Sequence, residues 1–174
     1  MLITIIFLIL FILLIPTAYA AVIGAPIAVV SKSRVKEIMD IADIKPRDKF
    51  FELGTGTGRM MIAVAKNTDA KVIGFELSPI FYFITLLNLK LNNIKNYKLI
   101  FKDFFTANLK EANIIFCFLM PKTMEKLKGK FERELAPGTK IISFVFEIKG
   151  WIPYAMIKSN KKLPVYFYKI KLPV

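Results

Sequence analysis

Residues 51–59 read FELGTGTGR, and this stretch decides the fold. It overlaps a short apolar run, Phe50 to Leu53, and leads into the helical pattern Met60 to Lys66, which together predict a strand, a glycine turn and a helix. A dinucleotide fingerprint requires its third glycine three positions after the second, where this chain has Arg59. The Gly-Lys-Ser/Thr of a Walker A loop is also absent, so the spacing argues against both of those phosphate-binding loops.

Further strands and helices alternate after this turn. Besides Phe50 to Leu53, the predicted strands are Lys71 to Phe75, Tyr97 to Lys102, Asn113 to Leu119, Thr139 to Ile148, Tyr154 to Lys158 and Val165 to Lys171. Ser78 and Pro79 supply the N-cap and the first position of a helix between the second and third strands. The alternation predicts an α/β fold, a Rossmann-like seven-stranded sheet that is mostly parallel, with an antiparallel C-terminal hairpin across residues 159–162.

The first 31 residues carry no charged side chain, whereas the remainder carries all 26 Lys and Arg and all 13 Asp and Glu. A helix over residues 2–23 would be about 33 Å long and would cross a hydrocarbon core of roughly 30 Å. We therefore expect a single-pass protein with an N-terminal transmembrane anchor, residues 1–30, that contacts the lipid bilayer through residues 2–23. The basic residues that follow, Lys32, Arg34 and Lys36, predict a cytoplasmic domain over residues 31–174. A signal peptide cleaved after Ala18-Tyr19-Ala20 and a buried core helix are the alternatives.

The composition excludes several kinds of site. With no His and one Cys, Cys117, the chain has no His-dependent triad, no internal disulfide and, we expect, no metal site. The formal net charge of +13 suggests a nucleic-acid or anionic-lipid partner. However, 22 of the basic residues are Lys and only 4 are Arg, the residue that reads bases and clamps phosphates, so nucleic acid is the less favoured partner.

Three acidic side chains lie at or just beyond the ends of the first three predicted strands, Glu52, Glu76 and Asp103. Because ligands of parallel α/β sheets bind at the carboxyl ends of the strands, these acids are expected to share one site. Glu76 follows the glycine turn at nearly the distance where a carboxylate meets a ribose diol, since its two oxygens can accept two neighbouring hydroxyl protons.

The E-x-G-x-G-x-G turn resembles motif I of the class I S-adenosylmethionine-dependent methyltransferases. The chain further resembles a small family of protein-lysine methyltransferases known from archaea and from the mitochondrial methyltransferase of the ATP synthase c subunit. The match rests on the segments FELGTGTGR (51–59), VIGFEL (72–77), KDFF (102–105), ANIIFCFLMP (112–121), LAPGTKIISFVFEIKGWIP (135–153) and VYFYKI (165–170), of which FEIKGW (146–151) is the most specific to the family.

The resemblance implies a methyltransferase domain that binds S-adenosylmethionine and methylates the lysine side chain of a membrane-associated protein. The implied cofactor-binding residues are Glu52, Gly54, Gly56, Gly58, Glu76, Leu77, Asp103 and Phe104, and the implied substrate channel is Phe118, Leu119, Met120 and Pro121. That last segment also lacks the polar-Pro-Pro-aromatic motif of nucleobase amino methyltransferases. Without a His, we expect catalysis by orientation and desolvation, with no dedicated base.

One segment departs from the family. Relatives commonly read Pro, aromatic, Val, Pro, Thr before the first helix of the domain, whereas residues 26–31 here read PIAVVS. Two alternatives follow from this difference and from the membrane setting. The chain is then a methyltransferase of a lipid or small molecule, or a catalytically impaired scaffold that binds the cofactor.

Overall fold

The computed structural model describes residues 1–23, 30–159 and 162–171. This part of the chain holds five helices, α1 (Leu2–Ile23), α2 (Lys32–Ala42), α3 (Arg59–Asn67), α4 (Pro79–Leu91) and α5 (Pro121–Glu134). It also holds seven strands, β1 (Lys49–Leu53), β2 (Lys71–Glu76), β3 (Tyr97–Phe101), β4 (Ile114–Cys117), β5 (Lys140–Phe144), β6 (Ala155–Ser159) and β7 (Lys162–Lys169).

The strands form one mixed sheet in the order β3-β2-β1-β4-β5-β7-β6. The first five strands run parallel, and β7 pairs antiparallel with both β5 and β6, which confirms the predicted Rossmann-like sheet and its C-terminal hairpin. The chain extends from β1 through β2 to β3 on one side and then returns to β4 on the other side of β1. The carboxyl end of β1 is therefore a switch point, the place where α/β sheets leave a crevice for a ligand.

Two hydrophobic layers cover the two faces of the sheet. One contains buried side chains of α2, α3 and α4, among them Ile38, Met61 and Leu89. The other contains the α5 residues Met124, Leu127 and Phe131, each fully buried, as the helical spacing predicts. These layers hold the strand ends in place, so the loops beyond those ends start from a rigid base.

Four strands end earlier than the sequence pattern predicts, β3 by one residue, β4 and β7 by two residues each and β5 by four. β4 stops at Cys117, two residues before Leu119, because its partner β1 ends at Leu53, opposite Cys117, and turns away at Gly54. β5 stops at Phe144 because Val145 has a φ of 75°, a left-handed conformation that leaves the sheet. The predicted strand to Ile148 is therefore wrong over its last four residues, which form a bend and an irregular segment.

Helix α1 has the predicted bounds and lies mostly outside the folded domain. Its segment Leu2–Ala20 has a mean hydropathy of 2.7, none of it is buried, and it is long and apolar enough to cross a membrane. Four side chains on one face of α1 are half-buried, namely Leu13, Pro16, Thr17 and Ala20. Thr17 lies 2.9 Å from Ser78, hydroxyl oxygen to hydroxyl oxygen, at the start of α4. The departure from the family at residues 26–29, and the turn residues Asn160 and Lys161, lie outside the described residues.

Candidate active site

The turn between β1 and α3 is built from three glycines in left-handed conformations. The φ angles of Gly54, Gly56 and Gly58 are 76°, 54° and 75°, values that side chains with a Cβ adopt only at a cost. A Cβ on Gly58 would come within 2.8 Å of Thr85, whereas a Cβ on Gly56 would meet nothing within 4 Å. The turn is thus closely packed at Gly58, where α3 begins, and open above Gly56.

Glu52 is buried at the end of β1 and caps the helix that follows the turn. Its Oε2 accepts a hydrogen bond of 3.0 Å from the backbone N–H of Met61, in the first turn of α3. Gly58 has no side chain with which to cap this helix, so the carboxyl group of Glu52, from the preceding strand, does so. Burial raises the pKa of Glu52 to about 8; the Met61 N–H opposes this rise and the charge of Glu76 adds to it.

Glu76 connects the end of β2 to the glycine turn. Its Oε2 accepts from the N–H of Gly56 at 2.9 Å, and its Oε1 accepts from the N–H groups of Leu77 at 2.9 Å and Ser78 at 2.8 Å. The Thr55 hydroxyl also contacts this carboxylate. Burial raises the pKa of Glu76, while these donors favour its ionised form. One carboxylate therefore sets the position of two loops.

Helix α4 holds the turn from its other side, through Thr85 and Asn88, which the sequence motifs did not indicate. Thr85 donates a hydrogen bond of 2.7 Å to the carbonyl of Gly56 and lies 3.2 Å from the hydroxyl of Thr55. Asn88 donates to the carbonyl of Thr57 at 2.9 Å. A signal was present, since Thr85 and Asn88 are polar residues three positions apart in the otherwise apolar run PIFYFITLLNL, residues 79–89. That spacing places both side chains on one face of the helix.

Asp103 lies beyond the next strand, and the backbone N–H of Lys102 bonds to the carbonyl of Glu76. The Oδ1 atom of Asp103 accepts a hydrogen bond of 2.8 Å from the N–H of Phe105, which fixes the loop after β3. Phe104 is only 4% exposed and packs in the core, whereas Phe105 is half-buried, with its ring centroid 4.9 Å from that of Phe104. Glu52, Glu76 and Asp103 thus lie at or just beyond the ends of three neighbouring strands, as the sequence predicts.

The segment after β4 lies on the other side of β1. Leu119 is buried, and its Cδ2 would be 3.6 Å from a Cβ on Gly54. Met120 is 38% exposed and precedes Pro121, the first residue of α5. The half-buried ring of Phe118 meets Phe144 edge-on at 5.0 Å and lies nearly parallel to Phe146 at 6.4 Å.

The left-handed Val145 explains this aromatic cluster, because ending β5 there returns Phe146 towards Phe118. The rest of the FEIKGW segment is fastened to β7. The Tyr168 hydroxyl accepts from the N–H of Ile148 at 3.0 Å, and the Trp151 ring meets that of Tyr168 at 5.9 Å. The sequence pattern did not indicate that Phe118, Phe144 and Phe146 form one wall, since no periodicity connects the ends of two separate strands.

The chain is similar to known methyltransferases over most of its length. A family model described as the ANTKMT methyltransferase domain matches residues 52–155. A protein-lysine N-methyltransferase of Saccharolobus islandicus (strain REY15A) is 36% identical over 141 residues, which cover 78% of this chain and 88% of that protein. The adenine nucleotide translocase lysine N-methyltransferase of Mus musculus is 24% identical over 133 residues, which cover 73% of this chain and 56% of that protein.

A solved structure also matches the fold closely. The RNA methyltransferase from Salinibacter ruber in complex with S-adenosyl-L-homocysteine superposes with a TM-score of 0.80 at 26% identity, over 84% of this chain and 96% of that one. The resemblance to class I methyltransferases is thereby confirmed.

The hydrogen bonds from α4 to the glycine turn give a first prediction. Thr85→Val keeps the shape of the side chain but removes its bond to the Gly56 carbonyl, so we expect a loss of about 1–2 kcal/mol in the free energy of unfolding. We also expect binding of S-adenosylmethionine, measured by calorimetry, to weaken about tenfold.

Thr68→Val is the matched control, because the Thr68 hydroxyl likewise bonds a backbone carbonyl, that of Val64, at the far end of α3. It should lose similar stability and keep its affinity. Equal affinity losses in the two variants would contradict a special role for Thr85.

Burial of Glu52 gives a second prediction. Because the pKa of Glu52 in the folded chain, about 8, lies above its ordinary value of 4.5, the folded state binds this proton more tightly than the unfolded state. The stability that Glu52 contributes is complete below pH 4.5 and is lost as the pH rises to about 8. The slope is at most about 1.4 kcal/mol per pH unit.

Glu52→Gln, whose amide oxygen can still accept from Met61, should remove this slope. In denaturant unfolding from pH 5 to pH 9, the free energy of unfolding of the variant should rise relative to that of the parent chain as the pH rises. Parallel stability curves for the two proteins would show that Glu52 is ionised throughout.

Proposed function

Because the chain belongs to the ANTKMT methyltransferase family and is an S-adenosylmethionine-dependent methyltransferase, we propose that it methylates the ε-amine of lysine in a protein at a membrane surface. The single observation that carries the lysine assignment is the 36% identity to the Saccharolobus protein-lysine N-methyltransferase over 78% of this chain. The membrane setting rests on α1, whose segment Leu2–Ala20 has the length and hydropathy of a membrane span.

The cofactor-binding residues that we propose lie at the carboxyl edge of β1, β2 and β3. The open space above Gly56 would admit a ligand against bare backbone, and a Cβ there would fill it. Glu76 is proposed to accept hydroxyl protons of the ribose, and Asp103 to accept from the adenine amino group. The remaining proposed residues are Glu52, Gly54, Gly58, Leu77 and Phe104.

The aromatic wall is the proposed lining for the incoming lysine. Bound S-adenosylmethionine supplies an electrophilic methyl group, and a lysine amine attacks it only in its neutral form. Holding that form at pH 7 costs about 4.6 kcal/mol in water, given a lysine pKa of about 10.4. Phe118 and Phe146, together with Met120 and Pro121, are proposed to form an apolar approach that disfavours the ammonium ion and so lowers this cost. Leu119, the remaining residue of the predicted channel, is buried.

No residue is assigned as a general base. In the proposed mechanism the chain orients the amine against the methyl group, which by itself is worth roughly 7–11 kcal/mol, and the proton leaves to water. Among the acids at this edge, Glu52 and Glu76 are both held by backbone N–H groups of the turns that they stabilise. Their proposed roles are therefore in binding and positioning, not in proton transfer.

Two other functions stay open beside this proposal. In the first, the methyl acceptor is a lipid or a small molecule at the membrane. In the second, which the departure at residues 26–31 motivates, the chain binds the cofactor but does not catalyse methyl transfer. Methylation of nucleic acid is disfavoured by the segment FLMP, residues 118–121, which lacks the polar-Pro-Pro-aromatic motif.

The aromatic wall gives a third prediction. Phe146→Ala removes the ring that lies parallel to Phe118, so kcat/KM for methyl transfer should fall by about tenfold to a hundredfold, the effect of misplacing a reacting group. Cofactor affinity should stay within about twofold, because the wall lies across β1 from Glu76 and Asp103. Ile152→Ala, at a side chain that is 86% exposed, is the control and should change neither quantity. If the Phe146 variant instead loses cofactor binding, this ring belongs to the cofactor site and not to the approach for lysine.

The lysine assignment gives a fourth prediction. The full chain is incubated with native membranes and with S-adenosylmethionine labelled in its methyl group, and the labelled material is hydrolysed to its components. Methyl-lysine is the expected product. Label found only in lipid or in nucleic acid would reject the assignment, and cofactor binding without any labelled product would support the scaffold alternative.

A further inference from the structure

Helix α4 exposes an apolar face that the folded domain leaves uncovered. Its sequence, PIFYFITLLNLKL, contains one charged residue, Lys90, near its end. The side chains of Phe83, Leu87 and Leu91 are 62%, 56% and 70% exposed, and they follow one another at four-residue spacing, so they form one stripe. Ile84 borders the stripe at 37% exposure. The opposite side of the same helix holds Thr85, Asn88 and the buried Leu89.

A lysine rim, Lys90 and Lys95, lies at the C-terminal end of this stripe, and both side chains are exposed. Residues 77–102, from just before α4 to just after β3, contain four Lys and no Asp or Glu. Lys98 does not belong to the rim, because it alternates with Tyr97 and Leu99 on β3 and so lies on the opposite face of the sheet. Phe101 on β3, the edge strand, is 52% exposed and meets Tyr82 of α4 at 5.6 Å. An apolar stripe with a lysine border is the pattern of a helix that lies in the interface of an anionic bilayer.

The stripe is continuous with α1. The half-buried face of α1 packs beside α4, and Thr17 contacts Ser78, the N-cap of α4. In a straight span that enters the hydrocarbon at Leu2, Thr17 would lie about 22 Å along a core of roughly 30 Å, so about 8 Å from its far boundary. Helices that lie in the interface bury their apolar faces about 5–10 Å deep. The start of α4 is thus held at the depth that such a helix occupies.

We propose that the α4 stripe is a second membrane contact, which lies in the interface of an anionic bilayer beside the span α1. The inference rests on the proposed function in that α1 crosses the membrane. A second copy of this chain fits the stripe less well, because it would bring the lysines at the end of the stripe, Lys90 and Lys95, against their like. A bilayer with anionic headgroups supplies the opposite charge.

This contact would give the active site a fixed orientation. The face of α4 away from the stripe bonds the glycine turn, and its N-cap follows Glu76 by two residues. The edge of the sheet with Glu76 and Asp103 is therefore held next to the bilayer surface. Lysines within a few ångströms of the headgroups are the substrates that this geometry favours, since docking restricts the reach of the domain.

The test places fluorescent labels on the full chain in proteoliposomes of phosphatidylcholine and phosphatidylglycerol. Leu87→Cys carries a bimane, and the lipids include a nitroxide-bearing phospholipid with its spin label near the headgroup. The native Cys117 does not compete, because it is fully buried and burial raises its pKa to about 12. Lys126→Cys, exposed on α5 across the sheet, is the matched control, and Phe7→Cys on α1 reports insertion of the span. Calorimetry with S-adenosylhomocysteine checks that each variant is folded.

We expect nitroxide lipid to reduce the Leu87 emission about twofold or more and to leave the Lys126 emission nearly unchanged. In phosphatidylcholine alone, the Leu87 quenching should weaken towards the Lys126 value, because the lysine rim loses its anionic partners.

Leu87 emission that matches the Lys126 control while the Phe7 label is quenched would overturn the proposal, as would a Phe7 label that lipids do not reach. Disulfide-linked dimers of the unlabelled Leu87→Cys chain would overturn it in favour of a second copy. Methyl-lysine is measured on the same proteoliposomes. If lipid does not quench the Leu87 label but methyl-lysine forms, the membrane contact of α4 is rejected and the lysine assignment stands. If lipid quenches the Leu87 label but only lipid is methylated, the lysine assignment is rejected and the membrane contact stands.

Discussion

The carboxylate of Glu76 is the interaction on which the candidate site depends. It accepts backbone N–H groups from the glycine turn after β1 and from the first residues after β2, which are the two loops that border the crevice. The glycines alone would leave the turn free to adopt other conformations, so this carboxylate is what selects one of them. Because the group is buried, its hydrogen bonds are stronger than they would be in water, and its loss would leave several donors without an acceptor.

Helix α4 joins three features that lie far apart in the sequence. Its polar side chains, Thr85 and Asn88, bond the glycine turn; its N-cap, Ser78, contacts both Glu76 and the N-terminal helix; and its outer stripe is apolar. A helix with this distribution lies between the glycine turn and whatever covers the stripe. This segment, from α4 to β3, contributes to the net charge of +13, since it contains lysines and no acidic residues.

The strength of a sequence signal depends on whether its cause is local. The strand, glycine turn and helix at residues 51–59, the Ser78 cap and the acids at the strand ends were all predicted, because chain conformation and strand direction follow from neighbouring residues. The aromatic wall was missed. Phe118 and Phe146 meet only because β4 and β5 are neighbours in the sheet and because Val145 adopts a left-handed conformation, which nothing in a β-branched residue predicts. The predicted strand to Ile148 was wrong for the same reason.

The sequence by itself determined the class of the fold, the glycine turn and the division into an uncharged helix and a basic α/β part, because periodicity, glycine spacing and charge are properties of the chain. Only the tertiary structure decided which atoms the acids bond, which face of α4 stays uncovered and which side chains surround the approach to the site. Those depend on strand order and on the burial of side chains from distant segments. Burial is what makes Glu52 a helix cap with a raised pKa, and burial exists only once the sheet and its two hydrophobic layers have assembled.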